Sequence, residues 1–155
     1  MKHYCDTSFF RRWFSTGAER GKAEQTAAAI IAEAQAISFS SLARLEFIQG
    51  LRFDVWLYRS DKSKGMSTAQ AEALLNLFLA QAESFRLEQP DYEAVMAQAE
   101  LLTRRTPERG FRTLDILHVA SATVLGASVF HSFDKRENQL AREVGLKTPL
   151  VQFSG

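Results

Sequence analysis

His3-Tyr4-Cys5-Asp6-Thr7-Ser8, near the start of the chain, reads as a short strand that runs directly into an acid and two residues able to cap a helix. Thr7 or Ser8 then starts a brief helix through Trp13 and Phe14. The same order of residue types returns late in the chain. Ser128-Val129-Phe130-His131-Ser132 is an apolar run, Phe133-Asp134 closes it, and a last helix ends near Gly145. Two strands, each with an acid at its carboxyl end and a helix behind it, set the frame for everything between them.

Working inward, Gly17 and Gly21 flank a break, and Ala27, Ile30, Ile31 and Ala34 follow at the spacing of one buried helical stripe. Ala36-Ile37-Ser38-Phe39 is a second strand. Ser40 or Ser41 caps the next helix, whose apolar positions are Leu42, Leu45, Ile48 and Trp56 and which reaches about Tyr58. After the polar turn Ser60–Gly65, Ser67 with Gln70 forms a capping box, with Met66 as its staple, ahead of a helix burying Leu74, Leu75, Phe78, Leu79 and Ala82. Together these two helices form a helical hairpin at about 40–82. Phe85-Arg86-Leu87 is a weak third strand, and Pro90 suits the first turn of a helix whose inner face is Val95, Ala99 and Leu102. Thr103 to Arg112 is a basic loop, and the next helix runs from about Thr113 to Leu125, stopping at Gly126. Leu150-Val151-Gln152-Phe153 is a candidate fifth strand. Strands alternating with helices imply right-handed crossovers and a mainly parallel sheet of four to five strands, an α/β fold.

The 155 residues fit one domain, 1–155, with enough chain to bury a core. Apolar residues at 46% and charged residues at 24% describe a globular chain. No apolar run approaches the roughly 20 residues of a membrane span, and the first residues lack the apolar core of a secretion signal. The single cysteine excludes an internal disulfide, so a reducing cytoplasm is the simplest location. Nineteen Lys and Arg against 18 Asp and Glu give a net charge of +1, so any contact with nucleic acid is confined to a local patch.

In parallel α/β sheets, ligands sit beyond the carboxyl ends of the strands. Asp6 and Asp134 fall there. Glu46 lies one to two turns into the helix after the second strand, and Asp115 lies in the first turn of its own helix. Gathered together, four carboxylates repel one another and hold protons more tightly. A hard divalent cation, Mg²⁺ or Mn²⁺, removes that repulsion and is matched by oxygen donors. Each acid also has a plainer reading. Asp6 and Asp134 can be helix caps, Asp115 can complement a helix dipole, and Glu46 can be a solvated helix position. Glu46 is the least easily dismissed, because it stands inside the apolar run Leu45-Glu46-Phe47-Ile48.

These pieces resemble the PIN-domain ribonucleases, and in particular toxins of the VapC type from toxin–antitoxin pairs. The resemblance rests on Tyr4-Cys5-Asp6-Thr7-Ser8, on Ser41-Leu42-Ala43-Arg44-Leu45-Glu46, on Leu114-Asp115-Ile116-Leu117-His118-Val119-Ala120-Ser121-Ala122, and on Val129-Phe130-His131-Ser132-Phe133-Asp134 with Gly145 beyond. It implies a PIN-like three-layer α/β/α fold and Mg²⁺- or Mn²⁺-dependent cleavage of RNA. By matching position, it makes Asp6, Glu46, Asp115 and Asp134 the acidic centre, with Ser8 supporting the first Asp. A homodimer and a cognate antitoxin that blocks the site are also implied. Cys5 stands where a branched apolar residue is more usual in the family.

The mechanistic expectation is hydrolysis of an RNA phosphodiester by a metal-activated water, with Asp6 and Asp115 as direct ligands and Glu46 and Asp134 completing the shell. Phosphate contacts need cations. Arg11 and Arg12 follow Asp6, Arg104, Arg105, Arg109 and Arg112 precede Asp115, and Lys135 and Arg136 follow Asp134. Phe111 can stack on a base or join the core. His118, one turn beyond Asp115, is read as a satisfied, partly buried histidine before a phosphate contact. Two rivals stand beside this reading. One is a PIN-like module that binds nucleic acid without chemistry. The other is an aspartate-based phosphotransfer domain, opposed by Ser8 where a dehalogenase-type phosphatase needs a second Asp and by the lack of paired acids before the strand-end Asp.

Overall fold

The computed structural model describes residues 1–15, 20–33, 36–83 and 85–151. Its strands are β1 (His3–Cys5), β2 (Ile37–Ser40), β3 (Arg86–Glu88) and β4 (Val129–His131). Its helices are α1 (Thr7–Trp13), α2 (Arg20–Ala32), α3 (Ser41–Ser60), α4 (Thr68–Ala82), α5 (Tyr92–Thr103), α6 (Thr106–Arg109), α7 (Thr113–Val124) and α8 (Lys135–Glu143). The four strands form one sheet in the order β3-β2-β1-β4. Every pairing is parallel, with His3 opposite both Ile37 and Val129. From β1 the chain moves outward to β2 and β3, then returns to lay β4 on the other side of β1. The order therefore reverses between β1 and β4, where an open α/β sheet leaves a crevice at its carboxyl edge.

Alternation along the strands divides the core in two. Cys5, Ile37 and Phe39 face one side, packing with Phe9 and Phe10 of α1, Ala27 and Ile30 of α2, Phe47 and Leu51 of α3 and Phe78 of α4. Tyr4 and Phe130 face the other, packing with Val95 and Leu102 of α5, Ile116 and Val119 of α7 and Leu140 of α8. This is the three-layer arrangement expected. β3 is an edge strand whose charged residues Arg86 and Glu88 pair with each other at 3.1 Å, with Lys2 also on Glu88 at 2.7 Å. Charge on an exposed edge discourages pairing with another chain. Among the described residues, no helix is long and apolar enough to cross a membrane.

Several local expectations change. α1 is capped by Asp6, not by Thr7 or Ser8: its carboxylate accepts from the Phe9 N–H at 2.9 Å. Ser40 caps α3. The buried stripe of α3 is Ala43, Phe47 and Leu51, while Leu45 and Trp56 are 64% and 59% exposed. The small Ala43 lets the helix sit close on the sheet, which rotates the larger apolar residues outward. In α2 the stripe is Ala23, Ala27 and Ile30, with Ile31 exposed; Ala34 lies outside the described residues. Pro90 precedes the helix start, and Asp91 is the cap of α5. The basic loop contains a helical turn, α6, with Pro107 in its first turn and Gly110 closing it at φ +67°. Where a fifth strand was expected, Leu150 is buried in a turn, and Gln152 and Phe153 lie outside the described residues. A single parallel bridge, Val129 to Lys147, extends the sheet beyond β4 instead.

α3 and α4 are closed against each other by a tight loop. The Ser67–Gln70 capping box is present, and Met66 packs on the core as its staple. The Met66 N–H reaches back to the Asp54 carbonyl at 3.2 Å, which brings Gly65 (φ +63°) against that same carbonyl. A Cβ at this position would stand 2.0 Å from the Asp54 oxygen. Gly65→Ala is expected to lower stability by more than the ~1–3 kcal/mol of a left-handed non-glycine residue, because the hairpin loop must also open. The fall is read as a depressed unfolding midpoint, and an unchanged midpoint would refute the loop's role.

His131, 3% exposed, stacks on His3 at 5.2 Å between ring centroids, with its Nε2 2.9 Å from His3 Nδ1. Burial and the neighbouring His3 lower its pKa from 6.5 to about 4. The unfolded chain therefore takes up this proton near pH 6.5 and the folded chain only near pH 4, so stability is lost as the pH falls between them. At about 1.4 kcal/mol per tenfold change in proton affinity, the loss is on the order of 3 kcal/mol. Urea unfolding of the wild type and of His131→Phe from pH 7 to pH 4 checks this: the wild type should lose more stability than the variant over that range.

Candidate functional site

The carboxyl ends of β1 and β4 meet around two serine hydroxyls. Asp6, 1% exposed, accepts from Ser8 Oγ at 2.8 and 2.9 Å and from Ser132 Oγ at 2.7 Å. The hydroxyl oxygens in turn accept backbone N–H groups of the turn after β4, Phe133 on Ser8 at 2.9 Å and Asp134 on Ser132 at 2.9 Å. Asn138 closes this turn from α8, donating to the carbonyls of Ser132 at 2.8 Å and Asp134 at 2.7 Å. Ser8 thus supports Asp6, as the resemblance implies, and Ser132 is an equal partner.

Asp134 caps α8, accepting from Arg136 N–H at 2.8 Å and Glu137 N–H at 3.1 Å. Asp115 sits at the third position of α7 and accepts the Arg112 N–H at 3.0 Å. The capping readings of Asp6 and Asp134 are therefore correct locally, Asp115 closes the start of α7 through the Arg112 N–H beyond the dipole role expected of it, and these bonds also fix where each carboxylate stands. Capping alone uses only part of each carboxylate's four lone-pair sites; Ser8 and Ser132 take others on Asp6, and the Arg112 guanidinium takes others on Asp115. Glu46 reaches the same place from α3. It lines a cleft of about 280 Å³ together with Arg112, Thr113, Leu114, Asp115 and Glu137. Its Oε1 accepts from Thr7 Oγ1 at 3.2 Å and contacts His118 Nε2. Asp6, Glu46, Asp115 and Asp134 thus converge on one edge of the sheet.

A fifth acid joins them. Glu137, one turn into α8, is buried, with Oε2 3.3 Å from Ser132 Oγ. Its carboxyl lies well above the usual carboxylate range: burial raises it first, then the charge of Asp6, a hydrogen bond to Asp6, and the charges of Asp134 and Asp115. Sequence reading passed over it because Lys135-Arg136-Glu137 looks like a solvated first turn; only the helix phase turns Glu137 inward. His118 is buried at 1%, satisfied by Tyr4 OH at 3.0 Å and by Glu46, so it is a histidine of the interior. Phe111 belongs to the core.

The six arginines that follow Asp6 or precede Asp115 separate. Arg112 lies within the site: its guanidinium bonds Asp115 through Nε and Nη2 at 3.3 Å each, and Asp134 through Nη2 at 3.4 Å. Arg105 and Arg109 pair with Glu143 at 3.0 and 3.4 Å, and Arg104 is exposed on the same segment. Arg12 lies over the Phe133 ring at 5.3 Å. Arg11 is turned away, ion-paired to Asp54, and borders a separate cavity of about 400 Å³ lined by Phe14, Phe47, Leu51, Met66 and Leu74. As the side chains stand, no three His, Cys, Asp or Glu among the described residues are grouped closely enough to hold one ion. The contacts account for this: Arg112 covers Asp115 and Asp134, Thr7 and His118 occupy Oε1 of Glu46, and Ser132 stands beside Asp6 and Glu137.

The chemistry of the donor set nevertheless fits a hard cation: five carboxyl groups, one of which, Glu137, is shifted upward by burial and by the charges of Asp6, Asp134 and Asp115. A raised carboxyl costs stability as the pH climbs from the unfolded value, near 4.5, towards the folded one. Glu137→Gln in metal-free buffer is therefore expected to be more stable than the wild type at pH 7, with the gap closing near pH 4.5. Thermal melts in chelator across that range check it, and a variant less stable at pH 7 would contradict the crowding.

No curated protein sequence matches the chain. Among solved structures it is similar to FitAcB from Neisseria gonorrhoeae, at TM-score 0.68 and 14% identity over 94% of this chain and 95% of that one. It is also similar to VapBC2 from Rickettsia felis bound to a DNA fragment from its promoter, at 0.66 and 15% over 96% and 97%. A third is VapC20 of Mycobacterium tuberculosis, a sarcin-ricin loop cleaving toxin, at 0.61 and 19% over 89% and 94%. At these identities the likeness is one of fold. The PIN domain model matches residues 3–143, which include all five acids and the whole sheet, and the chain therefore belongs to the PIN domain family.

Proposed function

We propose that this chain is a metal-dependent endoribonuclease that hydrolyses RNA phosphodiester bonds, and that it is the toxin of a type II toxin–antitoxin pair. The observation that carries the reading is the serine-braced gathering of Asp6, Asp115, Asp134 and Glu137, with Glu46 opposite, at the point where the strand order reverses. Such crowding is costly without a cation and useful with one.

Asp6, Glu46, Asp115 and Asp134 would hold Mg²⁺ or Mn²⁺. The ion would supply charge for a phosphate oxygen and acidify the attacking water. The protein's own part is positional. Ser8 and Ser132 keep Asp6 oriented, the helix starts fix Asp115 and Asp134, and Glu137 stands buried beside Asp6, its carboxyl raised by burial and by that neighbouring charge. Arg112, now on Asp115 and Asp134, would be the cation nearest the site to meet a substrate phosphate. Arg104, Arg105 and Arg109 on the α5–α7 connection, with Lys135 and Arg136, offer further phosphate contacts at the rim. The RNA substrate is supported by the family and by the sarcin-ricin loop cleaving toxin among the similar structures. A partner antitoxin is supported by the VapBC assemblies among them, and a homodimer and a cytoplasmic setting complete the proposal.

A second reading, a PIN-like module that binds nucleic acid without cleaving it, is favoured by one observation: Arg112 already neutralises two of the acids. One experiment separates the two. In Mn²⁺, purified wild type should cleave single-stranded RNA and lose that activity in chelator. Asp6→Asn and Asp115→Asn should each lower it at least about a hundredfold, the upper end of the loss seen when an outer-shell partner of a metal is removed. Circular dichroism should show both variants folded. Cleavage that persists in chelator, or in both variants, sinks the nuclease reading; RNA binding without cleavage establishes the second.

A further inference from the structure

Glu46 stands apart from the other acids. It projects from α3 with its side chain 25% exposed, and neither a cap nor its own helix fixes the carboxylate. What does touch it comes from the interior. Ser40 Oγ accepts the Ala43 N–H at 3.3 Å and lies 2.8 Å from Tyr4 OH. Tyr4 OH lies 3.0 Å from His118 Nδ1, and His118 Nε2 contacts Glu46 Oε1. Ser40 and Tyr4 are fully buried and His118 is 1% exposed, so water does not complete these contacts.

Counting hydrogens orders the chain. An ionised Glu46 only accepts, so His118 must present Nε2–H. A neutral imidazole has one N–H, so Nδ1 accepts, and the Tyr4 hydroxyl hydrogen points at it. Tyr4 oxygen then accepts from the Ser40 hydroxyl, whose own oxygen accepts the Ala43 N–H. Every hydrogen has one acceptor. The reverse order, with a doubly protonated His118, leaves the buried Ser40 hydrogen without an acceptor among the described contacts.

We propose that Tyr4 and His118 are positioning residues: a one-way chain from Ser40 through Tyr4 fixes the Nε2–H form of His118 and thereby aims Glu46 into the acidic cleft. The chain starts at the beginning of α3, crosses β1 and α7, and returns to α3 at Glu46. His118 and Thr7, the latter 3.2 Å away, engage Oε1 and leave Oε2 for the cleft. The direction of the Glu46 carboxylate is thus set from β1 and from α7, which also carries Asp115. The inference rests on the reading of Glu46 as a metal ligand, but the tautomer of His118 does not.

The test has two arms. In the metal-free wild type, nitrogen-15 NMR of the imidazole rings should find His118 protonated at Nε2 and bare at Nδ1. The Nε2–H proton should move upfield in Glu46→Gln, where the acceptor loses its charge. Tyr4→Phe keeps the ring that stacks on Phe130 at 5.6 Å and removes only the hydroxyl; it should release His118 into a mixture of tautomers. In the second arm, the Mn²⁺ concentration that half-saturates the thermal shift should rise about 10- to 100-fold in Tyr4→Phe and His118→Ala. His118→Gln, whose amide can donate in place of Nε2–H, should restore part of it. A wild-type His118 that is protonated at Nδ1 overturns the proposal, as does Mn²⁺ affinity unchanged in both Tyr4→Phe and His118→Ala. A wild type that shows no Mn²⁺ shift overturns the metal reading instead, and the ring nitrogens then decide the hydrogen-bond chain separately.

Discussion

Like charges held close together govern this molecule. Asp6, Asp134, Asp115 and Glu137 are brought to the carboxyl edge of β1 and β4 by elements that are rigid for other reasons, and their repulsion is met by donors placed among them. Ser8 and Ser132 each give a hydrogen to Asp6 and take backbone N–H groups from the turn after β4. Arg112 lays its guanidinium on Asp115 and Asp134. The carboxyl of Glu137 is raised because burial and its three acidic neighbours oppose its charge. A site arranged in this way is a poor resting state for five free carboxylates and a good one for a hard cation.

The rest of the fold serves that edge. Tyr4 and Phe130 pack on one face of the sheet and Cys5 and Phe39 on the other, so β1, buried on both sides, cannot move relative to β4. Caps tie the acids to the helices: Asp6, Asp115 and Asp134 satisfy helix N–H groups, and the same bonds set their directions. Capping and ligand binding are often treated as competing explanations for an acid at a helix start. Here the two are compatible, since a carboxylate has four lone-pair sites and a cap uses only part of them. Glu46 lacks such a cap, and its support comes from Thr7, His118 and, behind His118, Tyr4.

Much of this was legible in the residue order. Short apolar runs ending on Asp6 and Asp134, helices beginning at capping residues, and the Ser67–Gln70 box required only local chemistry and appear as read. The errors were of phase and of surroundings. The apolar positions read along α3 include Leu45 and Trp56, yet the structure exposes both and buries Ala43, Phe47 and Leu51. Periodicity fixes the spacing of a stripe but not which of two adjacent stripes meets the sheet; the close approach allowed by Ala43 decides it. The arginines were grouped by nearness in sequence, but Arg11 turns to Asp54 and Arg112 to the acids, because side-chain pairing depends on neighbours from other elements.

The sequence by itself determined the four strands, the long helices, their parallel arrangement and the placing of Asp6 and Asp134 at strand ends, since strand alternation, helix periodicity and strand-end positions are local properties. Only the tertiary structure decided that Glu137 belongs with those acids, that Ser132 matches Ser8, and that Tyr4 and His118 stand behind Glu46. Each of these depends on contacts between residues far apart in the chain: Ser8 and Ser132, 124 positions apart, lie 3.1 Å apart, and Tyr4 and His118, 114 apart, lie 3.0 Å apart. Such distances are set by packing on the two faces of the sheet, and no local pattern encodes them.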